Sequence, residues 1–330
     1  VLPIRTDHLC KTQRPGGKIN SVSIADIDGD GMGEIIAGSD DRCCYVLNAD
    51  GTERWRYQGK EGDDPYWKRY WKAGEVEKVL AADTNGDGKK EVIFAAANMN
   101  IHACDVQGKL LWRFTQYGVC TSILAADLTG DGKMEIVGGP AKITCYSNCN
   151  VINEAGKAIS RFANDGWASA LTAICTADLD GDSALAVICG TNMNNVFALD
   201  MVQGKLTQRW KYSAGDVINS LCPARLSGKQ AQHVIAGSAS EFIYALTASG
   251  QVVWATNLYD NVLQVAARDL NGDGRDEVIA STPNALYILD AAGSIIGSFA
   301  TESLINCIDL GERLLIGTQD GKVRELTTVD

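Results

Sequence analysis

The chain has 330 residues, of which 45% are hydrophobic and 22% charged, and these proportions describe an ordinary globular protein with enough apolar material for a core. No apolar run reaches the roughly 18 residues that a membrane-spanning helix requires, so no membrane insertion is expected. The net charge of −11 argues against nucleic acid or an acidic membrane surface as the main partner, because both are bound through positive protein surface.

The first sequence repeat sets the pattern for the rest of the chain. It consists of an apolar strand (residues 22–25), an acidic loop that begins at Asp26 and ends at Glu34, and two further apolar strands. A turn at Gly51 leads to a fourth strand, which carries Trp55. Four short strands in one repeat are typical of a propeller blade.

The acidic loop, or a degenerate remnant of it, occurs seven times. Its copies are spaced 57, 44, 51, 47, 44 and 40 residues apart, and they begin at Asp26, Asp83, Asp127, Asp178, Arg225, Asp269 and Asp309. This spacing predicts an all-β fold, a seven-bladed β-propeller with four-stranded antiparallel blades. The predicted blades span approximately residues 18–57, 75–115, 118–163, 168–212, 217–256, 261–300, and 302–330 together with 1–6.

The last repeat supplies only three predicted strands before the chain ends at Asp330. The N-terminal segment, residues 1–6, is predicted to add the missing outer strand and so to close the ring. Pro3 fits this position, because an edge strand loses no ladder hydrogen bond on its outer side. The whole chain is therefore predicted to be one propeller domain and a monomer.

The acidic loop also carries a family resemblance. The pattern Asp-x-Asp/Asn-x-Asp-Gly-x-x-Glu, followed by an apolar strand, is intact at Asp26, Asp83 and Asp269, and the copy at Asp127 has Thr129 at its third position. It resembles the FG-GAP and VCBS repeats of propellers such as the integrin alpha-subunit head and many secreted bacterial proteins. The glycine turns that precede tryptophans also resemble quinoprotein-type repeats. Both resemblances imply the propeller architecture.

Four of the loops offer the ligands of a calcium site. Calcium takes six to eight oxygens at about 2.3 to 2.6 Å, and alternate loop residues can direct their oxygens to one point. Without a cation, each pair of carboxylates would repel by about 4 kcal/mol at 4 Å and an effective dielectric near 20, so the metal is expected to be structural. The predicted ligands are Asp26, Asp28, Asp30, Met32 (carbonyl) and Glu34; Asp83, Asn85, Asp87, Lys89 (carbonyl) and Glu91; Asp127, Thr129, Asp131, Lys133 (carbonyl) and Glu135; and Asp269, Asn271, Asp273, Arg275 (carbonyl) and Glu277.

The remaining loops depart from this pattern. The fourth keeps Asp178, Asp180 and Asp182 but lacks the final carboxylate, so it is predicted to be a weak fifth site. The fifth has Arg225 at the first ligand position and His233 at the ninth, so no calcium is expected there. A plain Asp-Gly turn is the alternative for any single loop.

Aromatic and charged residues are predicted on the face opposite the acidic loops, in connections between blades. Such residues can stack on sugar rings or anchor a protein partner. The predicted ligand-binding residues are Tyr66, Trp67, Lys68, Arg69, Tyr70, Trp71, Trp167 and Tyr259. The alternative is that Trp67 and Trp71 only cover the edge of the ring.

Three functions stay open at this point. The preferred one is a non-catalytic module that binds glycans, polysaccharide or an extracellular protein, as part of a larger extracellular protein. The second is a polysaccharide lyase, in which Lys68, Arg69, Tyr70 or His102 would neutralise a uronate or move a proton. The third is an adhesion scaffold. His102 aligns with aromatic residues of other third strands, which predicts a packed ring, and no catalytic residue is assigned.

Two further expectations concern cellular location and cysteines. Weak extracellular calcium modules bind at roughly 0.1 to 1 mM, which predicts a secreted or cell-surface protein. The start at Val1, without a methionine or a signal peptide, predicts that an upstream segment was removed. The eleven cysteines cannot all pair within one chain. Cys145 and Cys149 are the expected local disulfide, while the cysteines inside apolar strands, Cys175, Cys189 and Cys222, are expected to be buried.

Overall fold

The strands of this chain form antiparallel sheets whose spatial order follows the sequence. A computed structural model describes residues 17–58, 74–116, 118–143, 148–163, 169–310, 314–319 and 323–326. Six sheets have four strands, a seventh has three, and one ribbon has two. This confirms the predicted all-β, seven-bladed β-propeller fold. The described residues include no helix with the length and apolar character of a membrane span.

Contacts divide the chain into two compact units, and the first contains the described residues up to 171 together with 201–206. Its first sheet consists of β1 (Ile19–Ala25), β2 (Glu34–Ser39), β3 (Cys43–Leu47) and β4 (Glu53–Gln58). The second consists of β5 (Val76–Ala82), β6 (Glu91–Ala96), β7 (Asn100–Cys104) and β8 (Leu110–Thr115). The third consists of β10 (Ile123–Ala126), β11 (Glu135–Gly138), β13 (Asn148–Ile152) and β14 (Ala158–Ala163), and β9 (Gly118–Val119) pairs with β12 (Lys142–Ile143).

The second unit contains residues 172–200 and the described residues from 207 onward. The fourth sheet consists of β15 (Leu171–Ala177), β16 (Ala186–Thr191), β17 (Asn195–Val202) and β18 (Lys205–Ser213). The fifth consists of β19 (Ile218–Ala224), β20 (His233–Ser238), β21 (Phe242–Leu246) and β22 (Val252–Asn257). The sixth consists of β23 (Gln264–Arg268), β24 (Glu277–Ser281), β25 (Ala285–Leu289) and β26 (Ile295–Ala300), and the last of β27 (Ile305–Leu310), β28 (Leu314–Thr318) and β29 (Val323–Leu326).

The second strands of the first six sheets lie in the core. Every residue of β6 and of β16 is buried, as the consecutive apolar residues of these strands predict. The cores lie between neighbouring sheets of a unit, where for example Ile36 and Val46 of the first sheet pack with Phe94 of the second. Burial on both faces explains why these strands show no alternation of polar and apolar residues.

Tryptophans of the fourth strands join neighbouring sheets within a unit. The indole N–H of Trp210 donates to the Ala248 carbonyl at 2.9 Å, in the turn before the next sheet's fourth strand. The ring lies against Gly250 of that turn, which has φ +78°, and a Cβ at this glycine would lie 2.8 Å from Trp210 Cδ2. Trp55 on Gly108, Trp112 on Gly156, and Trp254 on Gly293 repeat the contact. At these four turns the glycine is therefore required by the tryptophan of the preceding blade.

This contact predicts a large effect of Gly250→Ala. The added methyl group must displace the indole, and the alanine must also adopt a positive φ. The free energy of unfolding should therefore fall by about 2 to 4 kcal/mol. Gly204→Ala is the matched control, because Gly204 has φ +75° with no atom within 4 Å of the added Cβ. It should lose only about 1 kcal/mol. Equal losses for both variants in urea unfolding would contradict the docking role of the tryptophan.

The cysteine predictions have mixed outcomes. The nine cysteines of the described residues are thiols, with no disulfide between them. Cys189 is buried, as predicted, whereas Cys175 and Cys222 are partly exposed. Cys149 is a free cysteine with a fully buried side chain on β13, so the predicted disulfide with Cys145 is wrong, and Cys145 itself lies outside the described residues.

Two predictions about the termini and the domain are not tested. The N-terminal strand over residues 1–6 lies outside the described residues, so closure of the ring by this segment stays a prediction. The single propeller domain over residues 1–330 also stays a prediction.

Candidate functional site

Each acidic loop is closed by its own first aspartate. In the first loop, Asp26 Oδ1 accepts the N–H of Gly29 at 2.7 Å and Asp26 Oδ2 accepts the N–H of Gly31 at 2.9 Å. The same two bonds occur at the same distances around Asp83, Asp127 and Asp269. Both glycines of each loop have positive φ, the conformation that glycine adopts without strain. The loop geometry therefore repeats in all four predicted calcium blades.

A buried glutamate terminates each of these four loops. One carboxylate oxygen accepts the backbone N–H of the second loop residue at 2.8 to 3.0 Å, and the pairs are Glu34 with Ile27, Glu91 with Thr84, Glu135 with Leu128, and Glu277 with Leu270. Burial raises the pKa of the Glu135 carboxyl, and the charges of Asp131 and Asp127 raise it further, against the N–H of Leu128. The glutamate is thus held in place by the loop and would gain from a nearby cation.

In the first loop an arginine supplies a cation. Arg54 contacts Asp28 at 2.6 Å and Glu34 at 3.2 Å through its two terminal nitrogens. Its guanidinium is the main cause that lowers the pKa of the Asp28 carboxyl. Arg54 occupies a β-bulge at the start of β4, and a bulge turns its extra residue out of the regular alternation. The fourth loop has an equivalent pair, in which Arg209 contacts Asp180 at 2.5 Å.

The loop residues fit calcium in their chemistry and, in the first loop, in their geometry. Oxygens of Asp26, Asp28 and Glu34 all lie within 4.8 Å of one another. Two ligands of one calcium ion lie at most about 5 Å apart, so these oxygens could share an ion. Arg54 already pairs with two of the three residues, however, which makes the first loop a poorer site than its sequence predicts.

The second and sixth loops have no such arginine. Leu111 and Ile296 stand at the bulge positions that correspond to Arg54. In both loops the amide of an asparagine donates to the terminal glutamate, Asn85 to Glu91 at 2.9 Å and Asn271 to Glu277 at 2.8 Å. A half-turn of the amide exchanges its nitrogen for its oxygen. The same asparagine can therefore bond the glutamate without a metal and offer an oxygen to a metal.

The fourth and fifth loops, which lack the glutamate, use a side chain from the next sheet. Gln232 accepts the N–H of Asp178 at 2.8 Å, and Asp276 accepts the N–H of Arg225 at 2.7 Å. In each case the same residue's backbone N–H donates back to the loop carbonyl. These two residues, like Arg54, were missed by the sequence analysis. Only the arginine has a sequence signal, since an arginine precedes the tryptophan in the first and fourth blades alone.

The predicted ligand face is described at one residue. Tyr66, Trp67, Lys68, Arg69, Tyr70, Trp71 and Trp167 lie outside the described residues. Tyr259 is 84% exposed and has φ +60°, a left-handed conformation that strains a bulky residue. The loop is fixed around it, because Leu258 and Val262 are buried and Asn257 Oδ1 accepts the Tyr259 N–H at 2.6 Å. Strained residues of this kind cluster at functional sites, and the binding role of Tyr259 stays a prediction.

His102 is a core residue, as predicted. It is 1% exposed and its ring stacks on Phe94, with centroids 4.7 Å apart and planes 6° apart. Burial lowers the pKa of His102 to about 3, with a smaller contribution from Arg113. The ring is therefore neutral and out of contact with solvent, and it cannot carry protons for a lyase reaction.

Comparisons with known proteins give the fold. No protein-family model matches the chain, and no curated protein matches it in sequence. Among solved structures, Saccharomyces cerevisiae Sqt1 matches with a TM-score of 0.74 at 11% identity, over 95% of this chain and 83% of Sqt1. Chaetomium thermophilum Sqt1, bound to the N-terminus of ribosomal protein L10, has a TM-score of 0.69 at 12% identity, over 90% and 81%. BBS1N in complex with ARL6DN has a TM-score of 0.67 at 13% identity, over 94% and 93%.

The expected extracellular location is contradicted. BBS1N and Sqt1, which have this fold, are intracellular proteins. The expectation had depended on a typical affinity of extracellular calcium modules and on the secreted members of the resembling repeats. Both arguments concern other proteins with similar loops, so the prediction of secretion or surface display is wrong.

The buried histidine predicts a pH dependence of stability. The unfolded chain protonates His102 near its ordinary pKa of about 6.5, while the folded chain resists protonation down to about pH 3. The unfolded state therefore binds more protons between these values, and stability falls as the pH falls below 6.5. His102→Phe should remove about 2 kcal/mol of the loss between pH 7 and pH 5, measured by urea unfolding. Parallel curves for the two proteins would contradict the neutral, buried histidine.

Proposed function

We propose that this chain is a calcium-stabilised β-propeller that serves as a protein-interaction scaffold. The observation that carries this proposal is Tyr259, an exposed ring held in a strained conformation by a loop with buried anchors on both sides. Aromatic residues of this kind supply a large contact area at little cost in conformational entropy, and they dominate the binding energy of many interfaces. Sqt1 and BBS1N, which share the fold, were each solved with a protein partner, and this supports the proposal.

Glycan binding is the second candidate, because the same exposed ring could stack on a sugar. A polysaccharide lyase is a weaker alternative, since His102 is buried. The other residues suggested for it, Lys68, Arg69 and Tyr70, lie outside the described residues. The proposed partner is therefore a protein. A glycan array tests the second candidate directly.

Tyr259→Gly separates binding from folding. Glycine adopts a positive φ without strain, so this variant should gain up to about 1 kcal/mol in its free energy of unfolding. If the ring anchors a partner, the more stable variant should nevertheless lose it. The measurement is quantitative affinity capture from an extract of the source cells, with Val202→Ala as a control at another exposed apolar residue. Identical proteins captured by wild type and Tyr259→Gly, or specific retention of glycans instead, would contradict a protein scaffold anchored at Tyr259.

The calcium part of the proposal concerns the second, third and sixth loops. These combine a glycine-closed turn, a buried glutamate and an all-oxygen donor set, and their bulge residues Leu111, Ile159 and Ile296 supply no cation. Bound calcium would neutralise the carboxylates and tie the loop to the start of the second strand. We expect the first loop to bind more weakly because Arg54 competes. The fourth loop lacks the glutamate.

Asp87→Ala and Asp182→Ala form a matched test. Both residues occupy the fifth loop position, and each accepts a backbone N–H two residues ahead, at 2.8 and 3.0 Å. Asp87→Ala should remove one bound calcium and one site's share of calcium-dependent stability, about 1.4 kcal/mol at a concentration ten times Kd. Asp182→Ala should remove neither. Equilibrium dialysis with metal analysis and melting in calcium or chelator measure both effects. Absence of calcium from the wild-type protein would reject this part and leave the scaffold intact.

A further inference from the structure

The outermost strands differ in charge from blade to blade. One position on these strands follows directly after the tryptophan or the residue that replaces it. In the strand register this position is paired with a residue of the third strand of the same sheet. It carries a cation in the first four blades, namely Arg56, Arg113, Arg161 and Lys211, but Ala255 and Ser298 in the fifth and sixth. β22 and β26 contain no charged residue at all. Charges on an edge strand discourage pairing with other chains, so these two strands lack a common protection.

β26 is the less covered of the two. Five of its six residues are exposed, against three of six in β22. Gly297 stands at the position that tryptophan occupies in the first, second, fourth and fifth sheets, so β26 carries no indole of its own. Ile296 is 59% exposed, Ile295 46% and Phe299 37%. In β22, by contrast, Thr256 bonds the Gly293 carbonyl of the neighbouring turn at 2.7 Å.

The backbone of β26 offers hydrogen bonds on its outer side. The N–H of Thr301, just beyond the strand, donates to the Asn284 carbonyl at 2.8 Å, which places this residue's polar groups toward β25. Successive residues of an antiparallel strand alternate in direction, so Phe299 also faces β25. Ser298 and Ala300 therefore direct their N–H and C=O groups outward. Within the described residues, no strand pairs with this outer side, which we call the β26 edge.

Charge decides which occupant suits the β26 edge. The whole chain has a net charge of −11, so a second copy would be repelled. Asp290 precedes the strand and exposed Glu302 follows it. An uncharged strand between acidic groups favours a positively charged partner.

We propose that the β26 edge pairs with an extended, basic segment of a partner protein, which adds a fifth strand to the sixth blade. The proposal rests on the proposed scaffold function and names the chemistry of its partner. Backbone hydrogen bonds to Ser298 and Ala300 supply the pairing, as in other cases of strand addition. Apolar residues of the segment cover Ile296 and Phe299, and its lysines or arginines lie near the acidic groups at the ends.

The test uses a displayed library of random short linear peptides, selected on the full chain. We expect enrichment of basic peptides with alternating apolar residues. Ser298→Arg should weaken their binding at least about tenfold, because it places a cation on the edge strand. The first three blades carry an arginine at this position, which shows that the fold accepts it. Ala255→Arg, the same change on β22, is the matched control and should leave binding unchanged. Hydrogen exchange should slow at the amides of Ser298 and Ala300 when peptide binds.

Several outcomes would overturn the proposal. Acidic or helix-patterned peptides, binding that survives Ser298→Arg, or unprotected amides at Ser298 and Ala300 would each do so. A wild-type dimer that Ser298→Arg converts to a monomer would assign the edge to a second copy. If Tyr259→Gly loses the captured partner while peptide binding is unaffected by Ser298→Arg, this edge is rejected but the scaffold function is kept. If peptides pair with β26 and Tyr259→Gly still captures the partner, only the role of Tyr259 is rejected.

Discussion

The acidic loops depend on one constraint, namely that the backbone N–H groups at the turn into the second strand must find acceptors inside the protein. A buried polar group without a partner costs about 1 to 3 kcal/mol, which gives the chain a reason to place an acceptor inside the loop. Four blades use the glutamate that opens the second strand. Where the glutamate is absent, Gln232 or Asp276 of the next sheet accepts the N–H of the first loop residue, one position before the N–H that the glutamates accept. Loss of the glutamate is thus accompanied by a new bond between sheets.

This constraint explains why the loop pattern alone could not establish a metal site. Asp26 closes the turn and Glu34 accepts a buried N–H without any ion, so both residues have a structural reason to be present. The pattern of aspartates and glycines is explained equally well by a turn without an ion and by a metal site. What distinguishes the loops is the cation available to them, and Arg54 shows that a protein side chain can supply it.

The repeat made the architecture predictable, because spacing and consecutive apolar residues reflect sheets packed face to face. The seven sheets, their strand order and the core position of His102 follow from comparing equivalent positions. Arg54 and Asp28 are 26 residues apart in sequence, and they meet because a bulge redirects the arginine. No local pattern predicts that contact. The disulfide prediction failed for a similar reason, since the distance between two cysteines in sequence says nothing of which way Cys149 points within its strand.

The same bulge position shows how a repeat fold acquires different properties in different blades. In the first and fourth blades the arginine directly before the tryptophan pairs with the acidic loop, so loop and edge strand carry opposite charges. In the sixth blade the equivalent residue is Ile296, the tryptophan is replaced by Gly297, and the following cation by Ser298. These three replacements remove the loop's internal cation, the indole cover and the edge charge from one blade. The strand pairing of the sheet is kept, so the sixth blade combines a loop that lacks this arginine with an edge strand that lacks charge.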